Sequence, residues 1–343
     1  MMVVTRFLRG KDFIDCQEWA KEELETVLQV AGDLKRKFAI GEPHELLRGK
    51  TLFMIFYNPS TRTRNSFEAG MTQLGGHAHF MPPESSWLKA ESIKDTAEVL
   101  GRYGHAIAIR YLRWELPFAE TNRILRLYAH HAPVPLINME DGLYHPCQGM
   151  ADLMAIREKF GENLKGKKFA LSWAYSSYFG GYTGSECHTN IALMTRFGMD
   201  ITLAYPKGFE VHQDMVNVAR KNAEEAGVNF EITSSMKEAA KDAHVIYPVN
   251  WLPYSLLEGT EKDMERRKKI IMENTEKNRD WICNDEVMKA ADKKAVFMHC
   301  MPFARGEEVS ASVADGPQSI IFDEAENRLH VQKAILSLVM GGL

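Results

Sequence analysis

Short apolar runs rich in β-branched and aromatic residues alternate with helical patterns along most of the chain, and this alternation fixes the class of fold. TLFMIFY from Thr51, HAIAIRY from His105 and PVPLINM from Pro133 read as buried strands. A second series follows: KKFALSWAY from Lys167, DITLAYP from Asp200, NFEITSS from Asn229, HVIYPVN from His244 and AVFMHCM from Ala295. Runs that are apolar at consecutive positions belong to strands buried on both faces. Helix-like segments such as MVNVARKNAEEAG and SMKEAAKDA lie between them. The pattern predicts an α/β protein with doubly wound parallel sheets, covered by helices on both faces.

At 343 residues the chain is too long for one ordinary core and has room for two such domains. The break falls near Pro146, where QGMADLMAIREKFG, from Gln148, reads as a helix leading from one domain into the next. The expected domains are therefore 1–147 and 148–323. Ligands of open α/β sheets bind beyond the carboxyl ends of the strands, so a cleft between the domains is the expected site. The stretch from Glu258 to Arg279 carries both signs of charge in rough balance and reads as a solvated helix or loop.

The net charge of −4 argues against nucleic acid as a partner, while leaving room for a local basic pocket. The five cysteines, Cys16, Cys147, Cys187, Cys283 and Cys300, are dispersed, with no metal-type spacing. They read as reduced thiols of a cytoplasmic protein, and no metal or cofactor is expected. The longest uncharged stretch, Phe169 to Ser185, is broken by Gly, Ser and Tyr, so no membrane span is expected.

The segment FYNPSTRTRNSFEAGMTQLGG, from Phe56, carries the most chemistry. A strand ends at Asn58-Pro59 and a helix starts within Ser60-Thr61-Arg62-Thr63-Arg64, with Phe67, Met71 and Leu74 at helical spacing. Free N–H groups at a helix start bind anions. Ser60, Thr61 and Thr63 add hydroxyl donors, and Arg62 adds a planar fork suited to phosphate. The same residues also fit an ordinary Ser/Thr cap beside surface arginines.

Asn-Pro-Ser-Thr-Arg-Thr-Arg followed by Ser-Phe-Glu resembles the carbamoyl-phosphate motif of the aspartate/ornithine carbamoyltransferase family. Further segments match in order: Gly101-Arg102-Tyr103 with Ile107 to Arg110, His145-Pro146-Cys147-Gln148, His299-Cys300-Met301-Pro302, and Asp323 to Arg328. The resemblance covers nearly the whole chain. It implies transfer of the carbamoyl group of carbamoyl phosphate to an amine, by a homotrimer with shared active sites, and a C-terminal helix (324–343) that completes the first domain. Arg62 and Arg328 would hold the phosphoryl oxygens with the Ser60–Thr63 turn. Arg110, His145 and the Thr61 hydroxyl would donate to the carbonyl oxygen as it gains charge. Gln148 and the backbone around Cys300 would orient the carbamoyl NH2. Trp87 and Lys89, in SSWLKAESIKDT, are similar to a loop that relatives lend to a neighbouring subunit.

His145 alone also fits a structural role beside a proline turn, and Cys300 lacks the base that a thiolate nucleophile needs. For the acceptor the resemblance is mixed. The D-x-x-x-S-M-G loop of ornithine carbamoyltransferases is replaced by Tyr247 to Pro253, similar to the knotted N-acetylornithine and N-succinylornithine carbamoyltransferases and to a related uncharacterised branch. That similarity implies a knot in the second domain, between the Tyr175–Thr189 connection and the segment after Trp251. The lysine of that segment is Val249 here, and a carboxylated lysine is replaced by Glu308. Glu140, Trp251, Cys300, Arg305 and Glu308 are the expected acceptor-binding residues. Free ornithine is the alternative acceptor. Two other classes compete: a non-catalytic carbamoyl-phosphate-binding paralogue, and a dehydrogenase. The retained arginines, His145 and Gln148 argue against the first, and the missing G-x-G-x-x-G against the second.

Overall fold

The computed structural model describes residues 5–85, 88, 90–178, 180, 182–256 and 263–343. After helix α1 (Lys21–Ala39), four strands form one parallel sheet: β1 (Thr51–Phe56), β2 (His77–Met81), β3 (Ala106–Tyr111) and β4 (Leu136–Asp141), in the order β2-β1-β3-β4. Parallel neighbours need long crossovers. Here α2 (Thr61–Gln73), α3 (Ile93–Tyr103) and α4 (Glu120–His131) supply them. The chain runs outward from β1 to β2, then returns to the other side of β1 for β3. That reversal is a topological switch point, where the loops after β1 and β3 diverge and leave room for a ligand.

The helix α5 (Pro146–Phe160) precedes a second sheet made of β5 (Lys168–Trp173), β6 (Asp200–Ala204), β7 (Phe230–Thr233), β8 (Val245–Val249) and β9 (Val296–Phe297). Its order is β7-β6-β5-β8-β9, again parallel throughout. The helices α6 (Ser185–Arg196), α7 (Gln213–Ala226), α8 (Met236–Ala240), α9 (Met264–Glu276) and α10 (Asp285–Ala290) lie between these strands in sequence, and α11 (Ala311–Ala314) and α12 (Ile321–Val339) end the chain. The chain reverses direction between β5 and β8, so this sheet too has a switch point at the ends of those strands.

The chain divides into two compact units, one of Met1–Leu112, Ala119–Ala151 and Ala325–Leu343, the other of Arg113–Phe118 and Asp152–Glu324. Two of the boundaries fall inside α5 and α12, and the other two flank Arg113–Phe118 between β3 and α4. The first unit is centred on Ile55, Ile107, Ile109, Leu125, Tyr128 and Leu136. The second has a core of Ala170, Ile246, Met288, Phe297 and Val313. Burying each large aliphatic side chain contributes about 1.5–3 kcal/mol. Arg113–Phe118 joins the second unit because Trp114 and Phe118 pack on Leu252, Tyr254 and Ile271. Phe118 also stacks on His212 at 3.6 Å between centroids.

Strand β2 is an element the apolar-run pattern misses. It lies at a sheet edge, and HAHFM leaves His77 and His79 exposed, so it has no continuous apolar run. The charged stretch does contain a helix, α9, which buries Arg267 and Ile271. Its residues 257–262 lie outside the described residues. In the second unit the Leu252 N–H donates to the Tyr182 carbonyl at 2.9 Å and the Tyr254 hydroxyl to the Thr183 carbonyl at 2.5 Å. These are the two segments between which the expected knot would pass.

Candidate active site

Two strand ends and one helix start meet in the first unit. Strand β1 runs into Asn58, whose side-chain oxygen accepts from the Leu112 N–H at 2.7 Å and ties the loop after β1 to the end of β3. Ser60 caps α2 in extended conformation, its hydroxyl oxygen accepting from the Thr63 N–H at 3.3 Å. The cap satisfies one of the orphan donors of the first turn. The two motif arginines then part. Arg64 is committed, with Nε donating to Glu68 at 2.9 Å and the guanidinium 3.7 Å from the Phe80 ring centroid. Arg62 forms no ion pair or hydrogen bond among the described residues, and it lies close enough to depress the basicity of His145.

The register of the sheet brings in the next groups. Phe56 pairs with Arg110, and Arg110 with Glu140, so the ends of β1, β3 and β4 lie side by side. The buried Arg110 guanidinium donates from Nη1 to the Glu140 carboxylate. His145 Nε2 lies 3.4 Å from the same carboxylate oxygen. From α12, Arg328 Nη1 donates to the Gln148 side-chain oxygen at 2.5 Å and Nη2 to the Thr63 hydroxyl at 3.3 Å. The same Nη1 lies 3.5 Å from His145 Nε2. Arg110, His145, Gln148, Arg328 and Thr63 are all buried. Burial, then Arg328, Arg110 and Arg62, hold the His145 imidazole well below its ordinary pKa. It is thus neutral at neutral pH and suited to donate one hydrogen bond.

A brace beneath His145 has no counterpart in the motif reading. Asp141 Oδ1 accepts from the Leu143 and Tyr144 N–H groups at 2.6 and 2.8 Å, and Oδ2 from the Asn122 and Asn138 amides at 2.7 and 3.0 Å. Four donors fix the turn that delivers His145 to the start of α5. The one available signal was the pair of acidic residues, Glu140 and Asp141, that ends the buried strand LINMED.

In the second unit, Cys300 follows β9, half-buried, its thiol donating to the Glu186 carboxylate at 3.7 Å. Glu308 is buried, 3.1 Å from His299 Nε2, and accepts from the Asn250 N–H at 3.2 Å. Trp251 is buried as well, its indole N–H donating to the Phe209 carbonyl at 3.0 Å. Arg305 is held on the surface by both oxygens of Asp315, with contacts of 2.6–3.2 Å. Of the residues expected at the acceptor, only Glu140 is found beside the arginines of the first unit, and Cys300 stands with Glu186. Trp87 and Lys89 lie outside the described residues. The Thr61 side chain is exposed at the first position of α2.

Buried arginines at the switch point of one parallel sheet, together with a second parallel-sheet domain, define a two-domain α/β protein with a charged site at its strand ends. Two family models match the chain: the aspartate/ornithine carbamoyltransferase carbamoyl-P binding domain over residues 11–158, and the Asp/Orn binding domain over residues 176–339. The chain belongs to the aspartate/ornithine carbamoyltransferase family, and it is a carbamoyltransferase. It is 41% identical to an ornithine carbamoyltransferase of Halalkalibacterium halodurans, across 98% of this chain and 97% of that protein. The ornithine carbamoyltransferase structure from Pyrococcus furiosus superposes with a TM-score of 0.83 at 39% identity, covering 98% of this chain and 99% of that one. An N-acetyl-L-ornithine transcarbamylase structure gives 0.82 at 32% identity, covering 95% and 99%. No helix among the described residues is long and apolar enough to cross a membrane.

Proposed function

We propose that this carbamoyltransferase binds carbamoyl phosphate at the Ser60–Arg64 turn and transfers its carbamoyl group to the side-chain amine of an ornithine-like amino acid, with the N-acylated form the preferred acceptor. The observation that carries the first part is the convergence of Arg110, His145, Gln148 and Arg328 on the helix start that Ser60 caps.

In this reading Arg62, Arg328 and the first-turn N–H groups take the phosphoryl oxygens. Arg110, neutral His145 and the Thr61 hydroxyl donate to the carbonyl oxygen, and the Gln148 side chain fixes the carbamoyl NH2. The neutral amine attacks the carbonyl carbon, the carbon–oxygen bond to phosphate breaks, and its electron pair leaves with phosphate. An acceptor that arrives as an ammonium gives up two protons, one to the departing phosphate and one to solvent. Fixed donors aimed at the oxyanion stabilise the transition state more than the ground state. Positioning supplies the rest. The site is completed by Lys89 from a neighbouring subunit of a trimer in the cytoplasm.

One feature supports the acylated acceptor: the D-x-x-x-S-M-G loop is absent, with Tyr247 to Pro253 in its place. Free ornithine is the second reading, favoured by relatives 38–41% identical that are named ornithine carbamoyltransferase. Incubating the enzyme with carbamoyl phosphate and, in turn, ornithine, N-acetylornithine and N-succinylornithine, with phosphate release and product mass as readouts, decides between them. Preferential turnover of an acylated amine supports the first reading, and efficient citrulline formation at micromolar ornithine the second.

A further inference from the structure

Helix α12 lays a polar stripe on α2. Arg328, Gln332 and Lys333 are all buried, and they meet Thr63, Ser66, Gly70 and Gln73, which recur at helical spacing on one side of α2. A side chain at Gly70 would come within 3.3 Å of Lys333 Cγ, so glycine there lets the two helices approach closely.

A buried amide needs partners at both of its ends. The Gln332 amide is fully buried and has one orientation that provides them. Its nitrogen donates to the Ser66 hydroxyl oxygen at 2.6 Å, and its oxygen accepts from Arg328 Nη2 at 3.0 Å and Nε at 3.2 Å. The Ser66 hydroxyl in turn donates to the Thr63 carbonyl at 3.1 Å, and Thr63 Oγ1 accepts from Arg328 Nη2 at 3.3 Å. Thr63, Ser66, Gln332 and Arg328 therefore close a ring of hydrogen bonds. Its directions are set by the groups themselves. A guanidinium can only donate, so the amide oxygen faces it, the amide nitrogen is left for Ser66, and the Ser66 proton goes to Thr63.

The ring sits on the turn that Ser60 caps through the Thr63 N–H. Gln148 holds Arg328 at Nη1, and a planar group gripped at one corner can still swing about that corner. Gln332 grips the Nε–Nη2 edge, which fixes the plane. Packing alone would not ask for an amide here: methionine fills the same volume and brings no buried polar atoms that need partners. What the amide adds is a direction for the guanidinium, and a planar fork reads a phosphoryl group only when it is aligned.

We infer that Gln332, oriented by Ser66, is a positioning residue that sets the plane of the Arg328 guanidinium against the first turn of α2, so that the fork meets the phosphoryl group already aligned. This rests on the reading above in which Arg328 takes phosphoryl oxygens. Gln332 and Ser66 act through Arg328 and not on the substrate.

The test is calorimetric titration of carbamoyl phosphate into wild type, Gln332→Met, Ser66→Ala and the double variant, and into Arg328→Lys with and without Gln332→Met. Gln332→Met should weaken binding about 10-fold, the loss expected for one charge-assisted hydrogen bond, while the acceptor KM stays within about twofold. Ser66→Ala should weaken binding about 2- to 5-fold, and the double variant should bind like Gln332→Met alone, because Ser66 works through the amide. In the Arg328→Lys background Gln332→Met should cost less than about twofold, since lysine has no fork to align. A packing role would lower the melting temperature and leave carbamoyl phosphate affinity unchanged, or weaken it equally in both backgrounds; either result overturns the inference. If Gln332→Met does not fold, Ser66→Ala decides, and unchanged affinity in that variant overturns it. If wild type does not bind carbamoyl phosphate, or Arg328→Lys binds it as wild type does, the reading of the site itself fails, an outcome distinct from the others.

Discussion

Arg328 and Gln148, 180 positions apart in the chain, meet at 2.5 Å, and the other arm of the Arg328 fork reaches the Thr63 hydroxyl. One guanidinium thus joins the last helix to the helix after β4 and to the first turn of α2. Arg328→Ala should lower carbamoyl phosphate affinity by about 100-fold or more. It also leaves two buried acceptors without their donor, costing about 1–3 kcal/mol in a urea melt. Gln148→Glu should separate the two effects. A carboxylate strengthens the hold on Arg328 and competes with phosphate for it, so the KM for carbamoyl phosphate rises while the melting temperature does not fall. A parallel loss of both would show that Gln148 has only a packing role.

His145 predicts a pH dependence of stability with a definite sign. The unfolded chain takes up a proton there below about pH 6.5. The folded chain resists it because burial and the neighbouring arginines lower the imidazole pKa. Its contribution is therefore complete above that pH and declines as acid is added. Asp141 works the other way. Burial raises its carboxyl from 3.8 to about 6, so its contribution is present below 3.8 and lost as pH rises through about 6. The two partly cancel in wild type. His145→Gln removes only the first, so its stability relative to wild type should rise on acidification by up to about 1.4 kcal/mol per pH unit. Urea melts of both proteins between pH 7.5 and 5 measure this, and a constant difference across the range would contradict it.

Lys89 tests whether sites are shared. Arg62→Ala and Lys89→Ala chains, each inactive alone, should regain activity when dissociated and remixed. Random mixing in a closed ring makes about a quarter of the sites native. No recovery after subunit exchange has been verified by mass would restrict each site to one chain.

How far the sequence was legible depends on the kind of signal. Most strands were readable because their runs, such as TLFMIFY and HAIAIRY, are apolar at consecutive positions, and the edge strand β7, FEIT, through its β-branched and aromatic residues. Strand β2 was not, because an edge strand with His77 and His79 exposed has no such run. Arg113–Phe118 groups with the second unit through tertiary contacts of Trp114 and Phe118, which no local pattern encodes. Within the site, the convergence of Arg110, His145, Gln148 and Arg328 was legible because each lies in a contiguous motif. The acceptor side was not. Arg305, also expected at the acceptor, has its fork engaged by Asp315, ten residues further on, a pairing that no motif marks. Glu308, expected at the acceptor, is buried next to His299 and accepts from the Asn250 N–H, partners that no motif marks. Asp141 carried no motif. Its significance comes from burial and from partners that only the folded chain brings near.

The most direct test of the account is calorimetric titration of carbamoyl phosphate into wild type and Arg62→Ala, with circular dichroism to verify folding. Arg62 is the motif arginine that no described residue engages, and Arg64→Ala, which breaks only a partly exposed pair with Glu68 and the contact with Phe80, is the control. The account predicts saturable binding by wild type, binding within a few-fold of it by Arg64→Ala, and none detectable by a folded Arg62→Ala. Unchanged carbamoyl phosphate affinity in folded Arg62→Ala would contradict the assignment of the Ser60–Arg64 turn as the carbamoyl phosphate site.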